Sequence, residues 1–128
     1  MSYSYSKIVP YTFDEAVIQI TARLKEQGFG VLTEINMQST LKQKLDADLR
    51  PYTILGACNP PFALKALQAE GLIGLMLPCN VVVREKDNGS IEVAAINPIV
   101  SMQTIGNDAL STVATEVSDR LKKVIALV

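Results

Sequence analysis

The fold is decided by residues 81–96, VVVREKDNGSIEVAAI. Two apolar runs rich in β-branched residues flank the tetrapeptide Lys86-Asp87-Asn88-Gly89, whose Asn-Gly pair tolerates the positive φ angles of a hairpin turn. The segment therefore predicts an antiparallel hairpin. Its first strand is expected to begin after Pro78, because a proline inside the apolar run 75–83 interrupts a strand ladder. Its second strand is expected to cover Ile91–Ile96.

Three more strands are predicted on the N-terminal side of this hairpin, at residues 3–9, Gly30–Asn36 and Tyr52–Cys58. The first alternates polar and apolar residues and stops at Pro10, which favours a position at the edge of a sheet. Residues 46–51 are polar and predict a connection before the third of these strands.

Apolar residues three and four positions apart predict a long helix near each end of the chain. The first begins at the capping box Thr12-Phe13-Asp14-Glu15, in which Thr12 accepts from the first turn and Glu15 reaches back, and it ends at Gly28. The last helix has the most regular apolar stripe in the sequence. Its members are Leu110, Val113, Ala114, Val117, Leu121, Val124 and Ile125.

Two shorter helices are predicted between the strands. Ser39 is the expected N-cap of one. Asn59 is the expected N-cap of the other, with Pro60 at the first helical position, where the missing N–H costs nothing, and Gly71 at its end. The expected apolar side chains of this second helix are Ala63, Leu64 and Leu67.

Together these elements predict an α+β fold with two layers. A hairpin in the second half, strands without regular βαβ alternation and long helices at both flanks favour helices packed on one face of a mostly antiparallel sheet. The 128 residues fit a single domain, residues 1–128. With 48% hydrophobic and 20% charged residues, the composition excludes a disordered or fibrous chain.

Charge and hydropathy argue against two classes of partner. Twelve basic and thirteen acidic residues give a net charge of −1 without a basic stripe, so nucleic-acid binding is not expected. Residues 1–7 lack the features of a signal peptide, and no apolar run approaches the roughly 20 residues of a membrane span. We therefore expect a cytoplasmic protein without membrane insertion, in which the two cysteines are reduced thiols.

The two cysteines are the strongest candidates for chemistry. Without any histidine, the chain lacks the usual general base, the usual zinc ligand and any Cys-His pair. Cys58 ends a predicted strand directly before a helix, whose free N–H groups stabilise an anion, so it has a physical reason to be reactive. Cys79 is expected to enter a buried strand. The alternative is that both are small core residues, because free cysteine is often buried.

A predicted ligand-binding pocket combines these thiols with neighbouring polar residues and prolines. Its members are Cys58, Asn59, Pro60, Pro78, Cys79, Asn80 and Asn97. Each cysteine directly precedes an asparagine, although Asn59 is explained equally well as a helix cap and Asn97 as the end of a strand. Two thiolates without histidine favour a soft metal ion such as Cu(I). Their spacing does not resemble a zinc motif, in which cysteines come in close pairs.

The segment 96–105 is predicted to be a loop rich in apolar residues. Exposed Ile99, Val100 and Met102 would cover a partner surface, whereas packing under the last helix is equally plausible. A homodimer is the expected partner arrangement, because it is the commonest oligomer type.

Four segments carry a family resemblance. They are Gly28-Phe29-Gly30-Val31-Leu32, Ala57-Cys58-Asn59-Pro60-Pro61, Leu77-Pro78-Cys79-Asn80-Val81 and Glu116-Val117. With them, essentially the whole chain resembles the prokaryotic family catalogued as domain of unknown function three hundred and two. The resemblance implies a small α+β dimer with helices against a curved antiparallel sheet. It matches Cys58, Asn59, Pro60, Pro78 and Cys79 to the family pattern and implies no catalytic residue set.

Three hypotheses follow for function. The first is a dimeric binding module for a small ligand or soft metal ion at the pocket of cysteines and asparagines. The second is a structural or interaction homodimer with core cysteines. The third is a thiol-dependent enzyme using Cys58, against which stand the lack of a Cys-X-X-Cys motif and of an activating histidine.

Overall fold

A five-stranded antiparallel sheet forms the centre of the computed structural model, which describes residues 1–128. The strands are β1 (Ser4–Val9), β2 (Gly30–Asn36), β3 (Tyr52–Cys58), β4 (Cys79–Glu85) and β5 (Ile91–Ile96). Their order across the sheet is β1-β5-β4-β3-β2. The predicted hairpin, β4 and β5, therefore occupies the interior of the sheet, and β1 lies at an edge as predicted.

The helices form the second layer and confirm the α+β prediction. They are α1 (Phe13–Glu26), α2 (Met37–Leu45), α3 (Pro60–Ala69), α4 (Pro98–Gln103) and α5 (Ser111–Leu127), with 3₁₀ turns at Ile73–Met76 and Asp108–Leu110. The long helices α1 and α5 pack on the central strands, while α3 and α4 pack against α5. None of the helices has both the length and the apolar character needed to cross a membrane.

Strand alternation gives the sheet two different faces. The face under the helices carries a continuous set of buried side chains, namely Leu55, Ala57, Cys79, Val81, Val83, Ile91, Val93 and Ala95. These join the buried stripe of α5, which matches the predicted one and adds the polar Ser118. The opposite face, with the half-buried Ile54, Val82 and Ala94 at its centre, contributes none of the buried hydrophobic side chains. The core therefore lies between the sheet and the pair α1 and α5.

Two predicted helix starts need correction. Thr12 caps α1 by accepting a hydrogen bond from the Glu15 backbone N–H at 3.2 Å, as predicted. The Glu15 carboxylate does not reach back, because it accepts from Gln19 Nε2 at 2.8 Å. Asn36, and not Ser39, is the N-cap of α2, since Asn36 Oδ1 accepts from the Ser39 N–H at 3.0 Å.

The apolar face of α3 is also rotated relative to the prediction. Leu64 and Leu67 are exposed, with 57% and 46% of their surface accessible, whereas Ala66 is buried. The helix ends at Ala69, before the expected Gly71. A helix that packs through alanine lies close to its neighbour, so this rotation brings α3 close to α5.

The segment after β5 is a helix and not the predicted loop. Asn97 Oδ1 accepts from the Ile99 N–H at 3.1 Å, and Pro98 occupies the first position of α4. Asn-Pro thus starts a helix here, because proline fits the first helical position without losing a hydrogen bond. Met102 is buried under α5, so the packing alternative is correct for this residue and the partner-surface alternative is wrong.

Candidate functional site

A cavity of about 320 Å³ lies at the end of the sheet where β3 ends and β4 begins. Strands β3 and β4 provide one wall, and α3 and α5 provide another through side chains such as Ala63, Ala66 and Val117. Of its 16 lining residues 13 are hydrophobic, so the cavity offers an apolar environment with very few polar groups.

Strand pairing brings the two cysteines together at this cavity. Ala57 lies directly opposite Cys79 in the ladder of β3 and β4, so Cys58 is the next residue along from that pair. Both thiols are free and line the cavity; Cys58 is half-buried and Cys79 is 6% exposed. Pro78, which directly precedes β4, also lines it.

The electrostatics of Cys79 limit its chemistry. Burial raises the pKa of the Cys79 thiol from 9.0 to about 11, and the neighbouring Cys58 adds to the increase. The thiol is therefore protonated at neutral pH, whereas a metal ion or an electrophile reacts with the thiolate. No three cysteine, aspartate or glutamate side chains come together anywhere in the chain as potential metal ligands. This donor set fits a soft metal ion poorly.

Asn59 lines the cavity and stands at the start of α3, but its side chain does not cap the helix. Its backbone occupies the N-cap position, yet its side chain makes no capping bond; instead Nδ2 donates to the Gln27 carbonyl oxygen at 3.2 Å. That bond joins the start of α3 to the end of α1. Gly28 allows this approach, because a Cβ there would lie 3.2 Å from Asn59 Nδ2 and φ is +86°. Asn59 is therefore the N-cap residue of α3 as predicted, but its side chain connects two helices instead of making the expected capping bond.

Three predicted pocket residues lie elsewhere. Pro60 is exposed at the first turn of α3 and does not line the cavity. Asn80 follows Cys79 in β4, so its side chain points to the opposite face of the sheet, beside Val82. Asn97 lies at the start of α4 and is only 2% exposed. Its Oδ1 accepts a hydrogen bond from Ser118 Oγ at 3.1 Å. The prediction of one common pocket is thus wrong for Pro60, Asn80 and Asn97.

Comparison with known proteins places this fold in a family. A family model described as Domain of unknown function DUF302 matches residues 5–128. The chain belongs to the DUF302 family. It is similar to the crystal structure of an uncharacterized conserved protein DUF302 from Bacillus stearothermophilus, with a TM-score of 0.91, 28% sequence identity and 98% of each chain covered. No curated protein matches the sequence.

In this DUF302 domain, sequence reasoning missed a group of side chains at the cavity wall. Phe62 lines the cavity, and its ring centroid lies 5.2 Å from Arg120 Cζ and 5.5 Å from Lys65 Nζ. Arg120 Nη1 also donates to the Gln27 carbonyl oxygen at 3.2 Å. The spacing of Phe62 and Lys65 puts them on one helix face, which was a usable signal. Arg120 comes from α5, and no local pattern indicates that it meets Phe62.

Proposed function

We propose that this domain binds a small, largely apolar ligand in the cavity between α3, α5 and the ends of β3 and β4. The single observation that carries the proposal is the cavity itself, with about 320 Å³ of space and a mostly hydrophobic wall. Ligand sites are typically concave and apolar, with volumes of roughly 300–1,000 Å³ and a few polar groups that orient the ligand. Asn59 and the two thiols supply those polar groups here.

The apolar ligand is better supported than the metal ion or the thiol enzyme. A metal ion at Cys58 and Cys79 would have to remove a proton whose pKa is raised to about 11 on Cys79. A nucleophilic Cys58 has no histidine anywhere in the chain to act as its base. Binding of an apolar ligand needs neither a deprotonated thiol nor a general base, since it depends only on the apolar surface removed from water. The free thiols fit a reducing compartment, so a cytoplasmic location is part of this proposal.

Cavity filling tests the proposal. Wild-type protein is titrated with N-phenyl-1-naphthylamine, a neutral dye that fluoresces in apolar surroundings, and we expect saturation at one dye per chain. Ala63 lines the cavity and is half-buried, so Ala63→Leu should fill the space and weaken binding by about tenfold or more. Ala22→Leu is the matched control, because Ala22 is exposed on α1 and away from the cavity.

Two results would contradict this function. One is the absence of saturable dye binding to the wild type; the other is equal binding by Ala63→Leu and Ala22→Leu when circular dichroism shows both to be folded. The double variant Cys58→Ala, Cys79→Ala distinguishes a site for an apolar ligand from a site for a metal ion. It should keep dye binding if the ligand is apolar, whereas thiol-dependent uptake of Cu(I) by the wild type in native mass spectrometry would support the metal ion instead.

We propose in addition that two copies of this chain associate through the sheet face opposite the core. The centre of that face carries the half-buried Ile54, Val82 and Ala94. Its charged pair, Arg84 Nε and Glu92 Oε1 at 2.7 Å, is internally neutralised. A face with an apolar centre, polar surroundings and balanced charge suits a two-fold contact with itself, which is the usual form of a dimer interface.

Light scattering after gel filtration tests the dimer. The wild type should elute with twice the mass of one chain, and Val82→Glu should elute as a monomer, because it buries a carboxylate in the contact. Ile18→Glu is the control, since Ile18 is 60% exposed on α1 and lies outside the sheet. A monomeric wild type, or a dimeric and folded Val82→Glu variant, would exclude this interface.

A further inference from the structure

We infer that the ligand of this cavity carries an anionic head group, which Arg120 and Lys65 bind while the apolar part occupies the cavity. The inference rests on the proposed function of the cavity and adds the chemical class of the ligand. It depends on two cations that lie against Phe62, a residue of the cavity wall, and that do not themselves line the cavity.

The charges meet at the ring of Phe62. This ring lines the cavity and has the Arg120 guanidinium carbon 5.2 Å and the Lys65 ammonium nitrogen 5.5 Å from its centroid. Cations are attracted to the face of an aromatic ring, but the ring does not neutralise them. Two positive charges are thereby held beside the wall of an apolar cavity.

Neither cation has an acidic partner. The ion pairs of the molecule engage other basic residues, namely Arg23, Lys42, Arg50 and Arg84. Neither Lys65 nor Arg120 lies within 4 Å of a carboxylate oxygen. Glu116 shares a neighbouring hollow with Phe62 and Lys65, so the three charged residues of this region leave an excess of one positive charge. An anion at this point would meet a complementary potential.

The hydrogen bonds of Arg120 leave donors unused. Its Nη1 donates to the Gln27 carbonyl oxygen at 3.2 Å, and Asn59 Nδ2 donates to the same oxygen at 3.2 Å. The shared acceptor fixes the guanidinium next to Asn59, a residue of the cavity wall. Arg120 Nε is buried and has no hydrogen-bond partner. Buried N–H groups are normally paired, and an unpaired one calls for an explanation.

A carboxylate suits the Nη donors of Arg120 that remain free, whereas the buried Nε lies out of a ligand's reach. The guanidinium is a planar fork of N–H groups that matches the two oxygens of a carboxylate. The ligand class is therefore a monocarboxylate whose apolar chain or aryl part occupies the cavity of about 320 Å³.

Displacement of the neutral dye N-phenyl-1-naphthylamine by a matched pair of ligands tests the inference. Octanoate and octanamide have nearly the same size, but only octanoate is charged. We expect octanoate to displace the dye from wild type about tenfold more effectively than octanamide does. Phenylbutyrate and octyl phosphate, used in the same way, distinguish an aryl group from a linear chain and a carboxylate from a phosphate.

Variants assign the effect to the two cations. Arg120→Gln should reduce the affinity for octanoate by about tenfold, and Lys65→Gln by less, because Arg120 offers a bidentate contact. Both should lower the affinity for octanoate more than the affinities for the dye and octanamide, which carry no charge for the cations to bind. Lys122→Gln is the control, since Lys122 is exposed on the same helix as Arg120. If Arg120→Gln does not fold, the loss of octanoate affinity at high salt in wild type, with octanamide unaffected, is the second measurement.

The outcomes separate the two proposals. Equal affinities for octanoate and octanamide, or an octanoate affinity that Arg120→Gln and Lys65→Gln do not change, overturn the anionic head group while dye binding still supports the cavity. A wild type that does not bind the dye saturably overturns the binding function itself, and the head group with it.

Discussion

Cys79 is a buried thiol whose ionisation links stability to pH. Its pKa is raised from 9.0 to about 11, mainly because burial disfavours the thiolate. The folded chain therefore keeps a proton that the unfolded chain loses near pH 9, so the stabilisation is complete below pH 9 and is lost as the pH rises toward 11. The difference corresponds to roughly 3 kcal/mol.

We predict that the free energy of unfolding in urea falls by this order between pH 9 and pH 11. A change of pH acts on the whole chain, so the relevant quantity is the difference between wild type and Cys79→Ala. Cys79→Ala should be less stable than wild type at neutral pH, because the buried sulfur is missing. It should lose less stability than wild type between pH 9 and pH 11, because it has no thiol to ionise. Parallel stability profiles for the two proteins would show that Cys79 is not the group responsible.

Gly56 is the residue at which β2, β3 and the start of β4 come closest. A Cβ there would overlap Thr33 Oγ1 and would lie 2.7 Å from Pro78 Cγ. We predict that Gly56→Ala destabilises the fold by roughly 1–3 kcal/mol, because the rigid proline ring has to move. The midpoint of urea unfolding measures this change.

Gly30 provides the control for Gly56. It lies in β2, and a Cβ there meets nothing within 4 Å. Gly30→Ala should therefore unfold close to the wild-type midpoint. Thr33→Ala should recover part of the loss when it is combined with Gly56→Ala, since it removes one of the two clashes. Equal midpoints for Gly56→Ala and Gly30→Ala would mean that the close approach has no energetic weight.

At the scale of elements, the start of α4 depends on one buried polar network. Asn97 Nδ2 donates to the Ser2 carbonyl oxygen at 3.1 Å, and Asn97 Oδ1 accepts from the Ile99 N–H and from Ser118 Oγ. The Tyr5 hydroxyl bonds to Ser118 in turn. One side chain thus connects the segment that leads into β1 with α4 and α5, so its loss affects all three together.

We predict that Asn97→Ala lowers the free energy of unfolding by roughly 1–3 kcal/mol, because it leaves Ser118 and the first turn of α4 without their acceptor. The double variant with Ser118→Ala should cost less than the sum of the two single changes, since the two side chains share a hydrogen bond. Urea unfolding of the four proteins gives the coupling. If the losses in the free energy of unfolding simply add, the Asn97 and Ser118 side chains stabilise the fold independently of each other.

The predicted elements agree with the structure where the pattern is periodic and disagree where two local signals compete. β2 and β3 have the predicted bounds, and α5 has the predicted stripe. Asn36 and Ser39 are both good N-caps, and the choice depends on where β2 stops pairing with β3, at Asn36 opposite Thr53. Asn97-Pro98 reads equally as a strand end or a helix start. Such choices are made by tertiary contacts that a local pattern does not contain.

At the scale of the whole molecule, the candidate site is assembled by strand order and helix packing. The sequence indicated four residues of the cavity, because they stand side by side in two segments, Cys58-Asn59 and Pro78-Cys79. Their meeting was not predictable, since it requires β3 to pair with β4. The contact of Arg120 with Phe62 was missed for the same reason, because it depends on helix packing. Arg120 also bonds to Gln27 at the end of α1, a residue 93 positions away in the sequence. Asn80 was wrongly assigned to the pocket because it follows Cys79 in the sequence. Neighbouring side chains in a strand point to opposite faces, so Asn80 points away from Cys79.

The same long-range contacts join the two ends of the chain. β1 pairs with β5, and Lys7 Nζ donates to the Val128 carbonyl oxygen at 2.7 Å. The N-terminal strand therefore completes both the sheet and the packing of α5. The candidate cavity lies at the ends of β3 and β4, and its wall includes Val113 and Val117 of α5. Loss of α5 would consequently open the core and the cavity at once.

We predict that the domain unfolds in one cooperative transition, as expected for a small chain with a single core. Far-ultraviolet circular dichroism follows the helices, and pulsed alkylation of the buried Cys79 follows the cavity. The urea midpoints of the two signals should coincide. Lys7→Met removes the contact with the end of α5 and should shift both midpoints by the same amount. If Cys79 becomes reactive at a lower urea concentration than the helices melt, in either protein, the cavity region is a separate unit of stability and the single-domain prediction is wrong.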